Sequence, residues 1–66
     1  MSGKELIKIL SKHFGFIVER QKGSHIRLRK DHIFVTVPLH PTLKKGTLHA
    51  ILKEAGIDRD EFLKFS

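Results

Sequence analysis

Residues 22–37 read KGSHIRLRKDHIFVTV, and this stretch decides the fold. Apolar and polar side chains alternate on both sides of the Lys30-Asp31-His32 connection, and a period of two is typical of strands that bury one face. A β-branched and aromatic segment, FIVERQ at 16–21, precedes the Lys22-Gly23 turn. Three short segments joined by tight turns predict an antiparallel meander with strands at 16–21, 24–30 and 33–37.

The alternation also predicts which side chains the sheet buries, because residues two apart along a strand share a face. The set expected to face the core is Ile26, Leu28, Ile33, Val35 and Val37. The set expected to face outward is His25, Arg27, Arg29, Phe34 and Thr36. An outward Phe34 beside arginines either stacks on a nucleic-acid base or covers the aliphatic stems of its neighbours.

A helix is predicted before the first strand. Ser2 and Glu5 have the spacing of a capping box, in which each side chain satisfies a backbone N–H of the other residue. A helical stripe that the core would cover follows, and Gly15 supplies the stop. The stripe consists of Leu6, Ile9, Leu10 and His13, with His13 expected at the edge of the core.

A second helix is predicted after the loop PLHPTLKKG at 38–46, whose two prolines continue neither a strand nor a helix. Thr47 is the expected N-cap and Gly56 the expected stop. The apolar stripe consists of Leu48, Ile51, Leu52 and Ala55. Asp58 and Glu61 indicate a last short helical turn, from which Phe62, with Leu63 or Phe65, folds back over the core.

These elements predict an α+β fold in one domain spanning residues 1–66. A three-stranded antiparallel sheet needs cover on one face, and two helices with one apolar stripe each provide it. The short C-terminal helical turn completes the fold, and the other face of the sheet meets water.

Composition narrows the class of partner. The chain has 13 Lys and Arg residues against 7 Asp and Glu, a formal net charge of +6 that favours a polyanion. It has no cysteine, which excludes disulfides and thiolate zinc sites. No apolar run reaches the length of a signal peptide core or a membrane span, so we expect a cytoplasmic protein without a membrane partner.

Three features indicate a basic surface with a titratable group in it. His25 follows a Gly-Ser turn, where a backbone approaches a ligand closely. His40 lies in the proline-containing loop after the third strand. Lys44, Lys45 and Gly46 precede the second helix, whose N-terminal N–H groups favour anions.

The sequence resembles the HicA toxins, small mRNA interferases of toxin–antitoxin pairs, over nearly its whole length. The matching elements are Gly23-Ser24-His25, Val35-Thr36-Val37-Pro38 with His40, Gly46-Thr47-Leu48, Ile51-Leu52 and Ala55-Gly56-Ile57. The resemblance implies a double-stranded-RNA-binding-domain-like α-β-β-β-α fold, metal-independent cleavage of mRNA, and inhibition by a HicB-type antitoxin protein. It also implies that the histidine of the Gly-Ser-His triplet, His25, is catalytic.

The expected chemistry needs no cofactor. RNA carries its own nucleophile, the 2′-OH, and a histidine with a pKa of about 6.5 is suited to accept its proton near neutral pH. We expect His25 to be this general base, and His40 to be either a second catalytic group or a packing residue. No histidine or carboxylate spacing matches a metal site. The candidate RNA-binding residues are Lys22, Ser24, Arg27, Arg29, Lys44 and Lys45.

Two other classes stay open from the sequence. A non-catalytic RNA-binding module of the same fold would depend on Lys44 and Lys45 rather than on His25. A protein-interaction domain would be basic because its partner is acidic, and an acidic antitoxin that covers the open sheet face would equally suit the net charge.

Overall fold

A computed structural model describes all 66 residues. The elements are α1 (Gly3–His13), β1 (Ile17–Lys22), β2 (His25–Lys30), β3 (Ile33–Pro38), α2 (Lys45–Ala55) and α3 (Arg59–Leu63). The strands form one antiparallel sheet in the order β1-β2-β3. This architecture confirms the predicted α-β-β-β-α order with a short C-terminal helix. The chain contains no helix with both the length and the apolar character that crossing a membrane requires.

The hydrophobic core lies between the sheet and the helices. Both α1 and α2 pack against β3. The chain buries no polar or charged side chain. The buried apolar residues are Leu6, Leu10, Phe16, Ile26, Leu28, Val35, Val37, Leu43, Ile51, Leu52, Ala55 and Phe62. The strands therefore contribute to the core through alternate residues of β2 and β3, as the period of two predicted, whereas β1 itself contributes none.

The start of α1 is fastened at two levels. The Ser2 hydroxyl accepts a hydrogen bond from the Glu5 N–H at 3.0 Å, and the Ser2 N–H donates to Glu5 Oε1 at 3.1 Å. This is the predicted capping box. The Gly3 N–H also donates to the carbonyl oxygen of His40 at 3.0 Å, and a Cβ on the buried Gly3 would collide with the carbonyl oxygen of Pro38. The helix start therefore sits directly against the end of β3.

The start of α2 corrects the sequence-based prediction. The N-cap is Lys44 rather than Thr47, so Lys45 and Gly46 lie inside the first turn. The reason is tertiary: Leu43 is buried in the core and its N–H donates to the Met1 carbonyl at 2.7 Å. This anchor fixes where the chain turns, and the helix begins immediately after it. The predicted stop is confirmed, with Gly56 at a φ of 70°.

The C-terminal segment closes over the core and the end of α1. Phe62 is buried as predicted, whereas Leu63 is exposed. His13 is also exposed, which corrects its expected place at the edge of the core. Its ring stacks on Phe65 with the centroids 4.1 Å apart, because the last residues fold back across the outside of α1.

Candidate functional site

The outer face of the sheet is the face that the helices leave open. His25 is exposed at the first position of β2, and Arg27 and Arg29 follow on the same face, each partly covered by neighbours. In β3, Phe34 and Thr36 are exposed opposite Arg29 and Arg27. The predicted outward set therefore does lie on one face.

A β-bulge in β1 adds two more cations to this face. Ile17 pairs with Arg29 and Val18 with Leu28, but the register then shifts, so that Arg20 pairs with Arg27 and Lys22 with His25. Glu19 is the extra residue, opposite no partner. Since a bulge inserts one residue, it reverses the in–out alternation of everything that follows. Residues directly opposite across an antiparallel pair share a face, so Arg20 and Lys22 point outward beside Arg27 and His25.

These side chains form a shallow cleft of about 190 Å³. Its lining residues are Arg20, Lys22, His25, Arg27 and Thr36. None of them is hydrophobic, and none carries a carboxylate. Such a lining provides hydrogen-bond donors and positive charge around an exposed imidazole, which is an environment for an anion rather than for an apolar ligand.

The carboxylate of Glu19 divides the arginines of this face into two kinds. Glu19 Oε2 lies 2.7 Å from Arg29 Nε, a charge-assisted hydrogen bond, whereas Glu19 Oε1 lies 3.5 Å from Arg27 Nε. These are the only two ion pairs in the chain. The charge of Arg29 is therefore locally compensated, that of Arg27 is partly compensated, and Arg20 and Lys22 have no acidic partner.

The Phe34 ring contacts the side chain of Arg27. The guanidinium carbon of Arg27 lies 4.3 Å from the centroid of the Phe34 ring, the geometry of a cation–π contact. The contact is with a neighbouring side chain, but it involves the guanidinium group rather than the aliphatic stem that was predicted. The contact also holds the Arg27 head group against the outer face.

The remaining predicted site residues lie outside the lining of the cleft. Ser24 is in the turn between β1 and β2, and its carbonyl accepts a hydrogen bond from the Leu39 N–H at 2.7 Å. His40 follows Leu39 and is exposed. It lies two positions beyond Pro38, which is the pairing partner of His25. The loop histidine is thus at the same end of the sheet as His25. Lys44 and Lys45 are exposed at the start of α2.

A carboxyl group with a lowered pKa, that of Glu5, lies away from this face at the start of α1. The Ser2 N–H and the Ser2 hydroxyl, which both hydrogen-bond to Glu5, lower the pKa of the Glu5 carboxyl group. No group of three or more histidine, aspartate or glutamate side chains is arranged to hold a metal ion. The chemistry available at the cleft is that of imidazole, guanidinium, ammonium and hydroxyl groups.

Sequence reasoning missed two residues of this face, Arg20 and Glu19. The only signal was negative: the segment Glu19-Arg20-Gln21-Lys22 has no apolar residue to reveal its alternation. A strict period of two from Ile17 would have placed Glu19 outward and Arg20 inward, which is the reverse of the observed pairing for Arg20.

One comparison with known proteins bears on this chain. Residues 3–57 match the family model described as the HicA toxin of bacterial toxin–antitoxin. A comparison with curated proteins found no match. The matched range begins at the first residue of α1 and ends just after α2, so it includes the sheet with its cleft and leaves α3 outside.

Proposed function

The chain belongs to the HicA toxin family of bacterial toxin–antitoxin systems, and from that membership we propose that it is a metal-independent endoribonuclease that cleaves mRNA. The activity is carried by one domain that spans residues 1–66, and His25 is its general base. The observation that carries this proposal is the position of His25, an exposed imidazole in a cleft whose other lining groups are three cations and a hydroxyl.

The proposed reaction uses the nucleophile of the substrate itself. His25 takes the proton from the 2′-OH, the 2′-oxygen attacks the adjacent phosphorus, and the bond from phosphorus to the 5′-oxygen breaks. The leaving oxygen needs a proton, and His40, at the same end of the sheet, is the candidate donor. The products carry a 2′,3′-cyclic phosphate and a 5′-hydroxyl.

Positive charge supports both binding and chemistry in this proposal. Lys22 and Arg27 lie on the face of His25, where cations stabilise the negative charge that grows on the phosphate oxygens. Arg29 shares this face, but its Nε–H is engaged by Glu19 and it lies outside the lining of the cleft. Ser24, in the adjoining turn, contributes polar groups at the edge of the site. Lys44 and Lys45, exposed at the start of α2, bind phosphates that flank the cleaved bond.

A toxin of this kind requires a partner that restrains it. We propose a HicB-type antitoxin that covers the open outer face and so hides His25 from RNA. The formal net charge of +6 favours an acidic contact surface on that partner. An mRNA substrate and an antitoxin partner support the cytoplasmic location that we propose.

The test compares His25→Ala with His49→Ala, a matched histidine that is exposed on α2 and outside the cleft. A defined single-stranded RNA is incubated with each protein in excess chelator, and the product ends are identified. Loss of a general base lowers the rate by about 10²–10⁴-fold, so His25→Ala should be nearly inactive and His49→Ala fully active. RNA binding and thermal unfolding of each variant should match those of the parent chain.

Three results would contradict the proposal. Products with 5′-phosphates would exclude attack by the 2′-OH. Strict dependence on a divalent ion would exclude the metal-free mechanism. RNA binding without cleavage by the unmodified chain, weakened by Lys44→Ala and Lys45→Ala but not by His25→Ala, would favour a non-catalytic RNA-binding module.

A further inference from the structure

The cleft around His25 contains an arginine that the family resemblance did not single out. We propose that Arg20, turned outward by the bulge at Glu19, binds the phosphate at which His25 acts, and that Arg29 does not. The proposal rests on the proposed function, since it names the residue that contacts the reacting group at the same site.

Pairing in the sheet sets the geometry. Arg20 lies opposite Arg27, and Lys22 lies opposite His25. Side chains opposite each other on one face have Cβ atoms about 4.5–5.5 Å apart, and the two pairs are offset by two residues, or about 6.6 Å. The four side chains therefore outline a small square, with the imidazole at one corner and cations at the other three.

The charges of this square are unfavourable without a ligand. Like charges directly opposite across a sheet are destabilising, and Arg20 has no acidic partner to offset its repulsion from Arg27. An anion seated between the two strands would remove that repulsion and gain hydrogen bonds from both guanidinium groups. The arrangement is thus suited to a negatively charged ligand.

The size and lining of the cleft favour a phosphodiester over a base. A volume of about 190 Å³ with no hydrophobic lining has room for a phosphate group and provides no platform for stacking. Thr36 adds a hydroxyl on the β3 side of the square. The exposed aromatic ring on this face, Phe34, already has the Arg27 guanidinium over it.

Arg20 and Arg29 differ in how many hydrogen-bond donors they have free for such a ligand. Arg29 donates its Nε–H to Glu19 at 2.7 Å and lines no part of the cleft. Arg20 keeps its whole fork of donors free, and a guanidinium fork matches two phosphate oxygens at once. As the phosphate gains charge in the transition state, this contact strengthens, so Arg20 acts on the rate and not only on affinity.

The experiment measures single-turnover cleavage of a defined single-stranded RNA at saturating protein by Arg20→Ala, Arg20→Lys, Arg29→Ala and Arg59→Ala. Arg59→Ala, at an exposed position of α3, controls for the loss of one positive charge. We expect Arg20→Ala to lower the rate constant by about 100-fold and Arg20→Lys to recover part of it. Arg29→Ala and Arg59→Ala should change it by less than about threefold, because an ion-paired or remote cation adds little.

A second measurement needs no variant. Titrating the parent chain with inorganic phosphate should shift the NMR signals of the Arg20 side chain and the His25 ring more than those of Arg29. Equal rate losses in Arg20→Ala and Arg29→Ala, or a phosphate response centred on Arg29, would overturn the inference. Inactive His25→Ala together with fully active Arg20→Ala would refute the role of Arg20 alone, whereas fully active His25→Ala would refute the proposed function.

Discussion

The two edge strands of the sheet, β1 and β3, have the same length and opposite character. Both pair with β2 and both have six residues, but β3 buries Val35 and Val37, whereas every residue of β1 is exposed. Even the apolar residues of β1 remain open, with Ile17 exposed by 54% and Val18 by 53%. The two edge strands therefore contribute differently to the sheet: β3 stabilises the core, and β1 places charged side chains on the surface.

The reason lies in how the helices cover the sheet. Both α1 and α2 pack on β3, and the loop directly after β3 is bonded to the start of α1 through the His40 carbonyl and the Gly3 N–H. A strand held in this way cannot change its alternation without exposing core residues. Because β1 buries nothing, it accommodates an extra residue and two unpaired cations at little cost to the core.

The largest expected contrast uses one substitution at two sites. Val35→Ala, in the core, should lower the free energy of unfolding by about 2 kcal/mol, since it removes buried apolar surface and leaves a cavity. Val18→Ala, on β1, should change it by less than about 0.5 kcal/mol. Urea unfolding followed by circular dichroism measures both values. Equal destabilisation of the two variants would show that β1 shares the core after all.

The capping box at the start of α1 should give the next largest effect. Ser2→Ala removes the hydroxyl that accepts the Glu5 N–H, and loss of such a cap costs about 1 kcal/mol. Ser11→Ala is the matched control, because Ser11 is exposed inside the same helix and alanine has the higher helix propensity. Thermal unfolding of the two variants separates capping from propensity. Similar unfolding midpoints for the two variants would show that the Ser2 cap does not stabilise the fold.

The same box predicts how stability varies with pH. The pKa of Glu5 is lowered mainly by the hydrogen bond that the Ser2 N–H donates to its carboxylate and further by the Ser2 side chain, so the folded chain holds the ionised carboxylate more strongly than the unfolded chain does. Its contribution is complete above the ordinary glutamate pKa and is lost as the pH falls through the lowered value. Glu5→Gln should therefore flatten this part of the stability curve measured by denaturant unfolding. An unchanged acid limb would contradict the assignment.

The smallest expected effect on stability comes from Glu19→Gln. The two ion pairs that it breaks are partly exposed, so the free energy of unfolding should change by less than about 1 kcal/mol. RNA affinity at low salt should increase, and it should decrease more steeply as the salt concentration is raised. The reason is that Arg27 and Arg29 lose their acidic partner and become available to phosphates. Fluorescence anisotropy with labelled RNA over a salt series measures this. A large loss of stability with unchanged RNA binding would reverse the roles assigned to β1 and β3.

Local signals in the sequence were sufficient for most of the β3 side. The capping box at Ser2, the alternation of β2 and β3 and the stop at Gly56 depend on near neighbours, and each is present. The alternation also predicted that His25, Arg27 and Arg29 share a face. The predicted start of α2 was wrong. Leu43 is buried and bonded to Met1, and this contact between distant residues outweighs the capping preference of Thr47.

On the β1 side the sequence lacked the information needed. A run without apolar residues has no face that the core must receive, so its register comes from pairing with β2 alone. That register produces the bulge and the outward position of Arg20. It also produces the ion pair between the Glu19 and Arg29 side chains. None of them leaves a periodic signal in the sequence.

The bulge at Glu19 has a consequence for the genetics of this chain. Point substitutions in β1 remove one side chain at a time, whereas an in-frame deletion of codon 19 would remove the extra residue itself and leave Arg20 opposite Arg27 and Lys22 opposite His25 in a regular ladder. We expect the product to be stable and toxic, because it keeps the cations of the cleft and loses only the acidic partner of Arg27 and Arg29. A screen for active alleles should therefore recover the deletion of codon 19 but no single-codon deletion in β3, where the same lesion would destroy the fold.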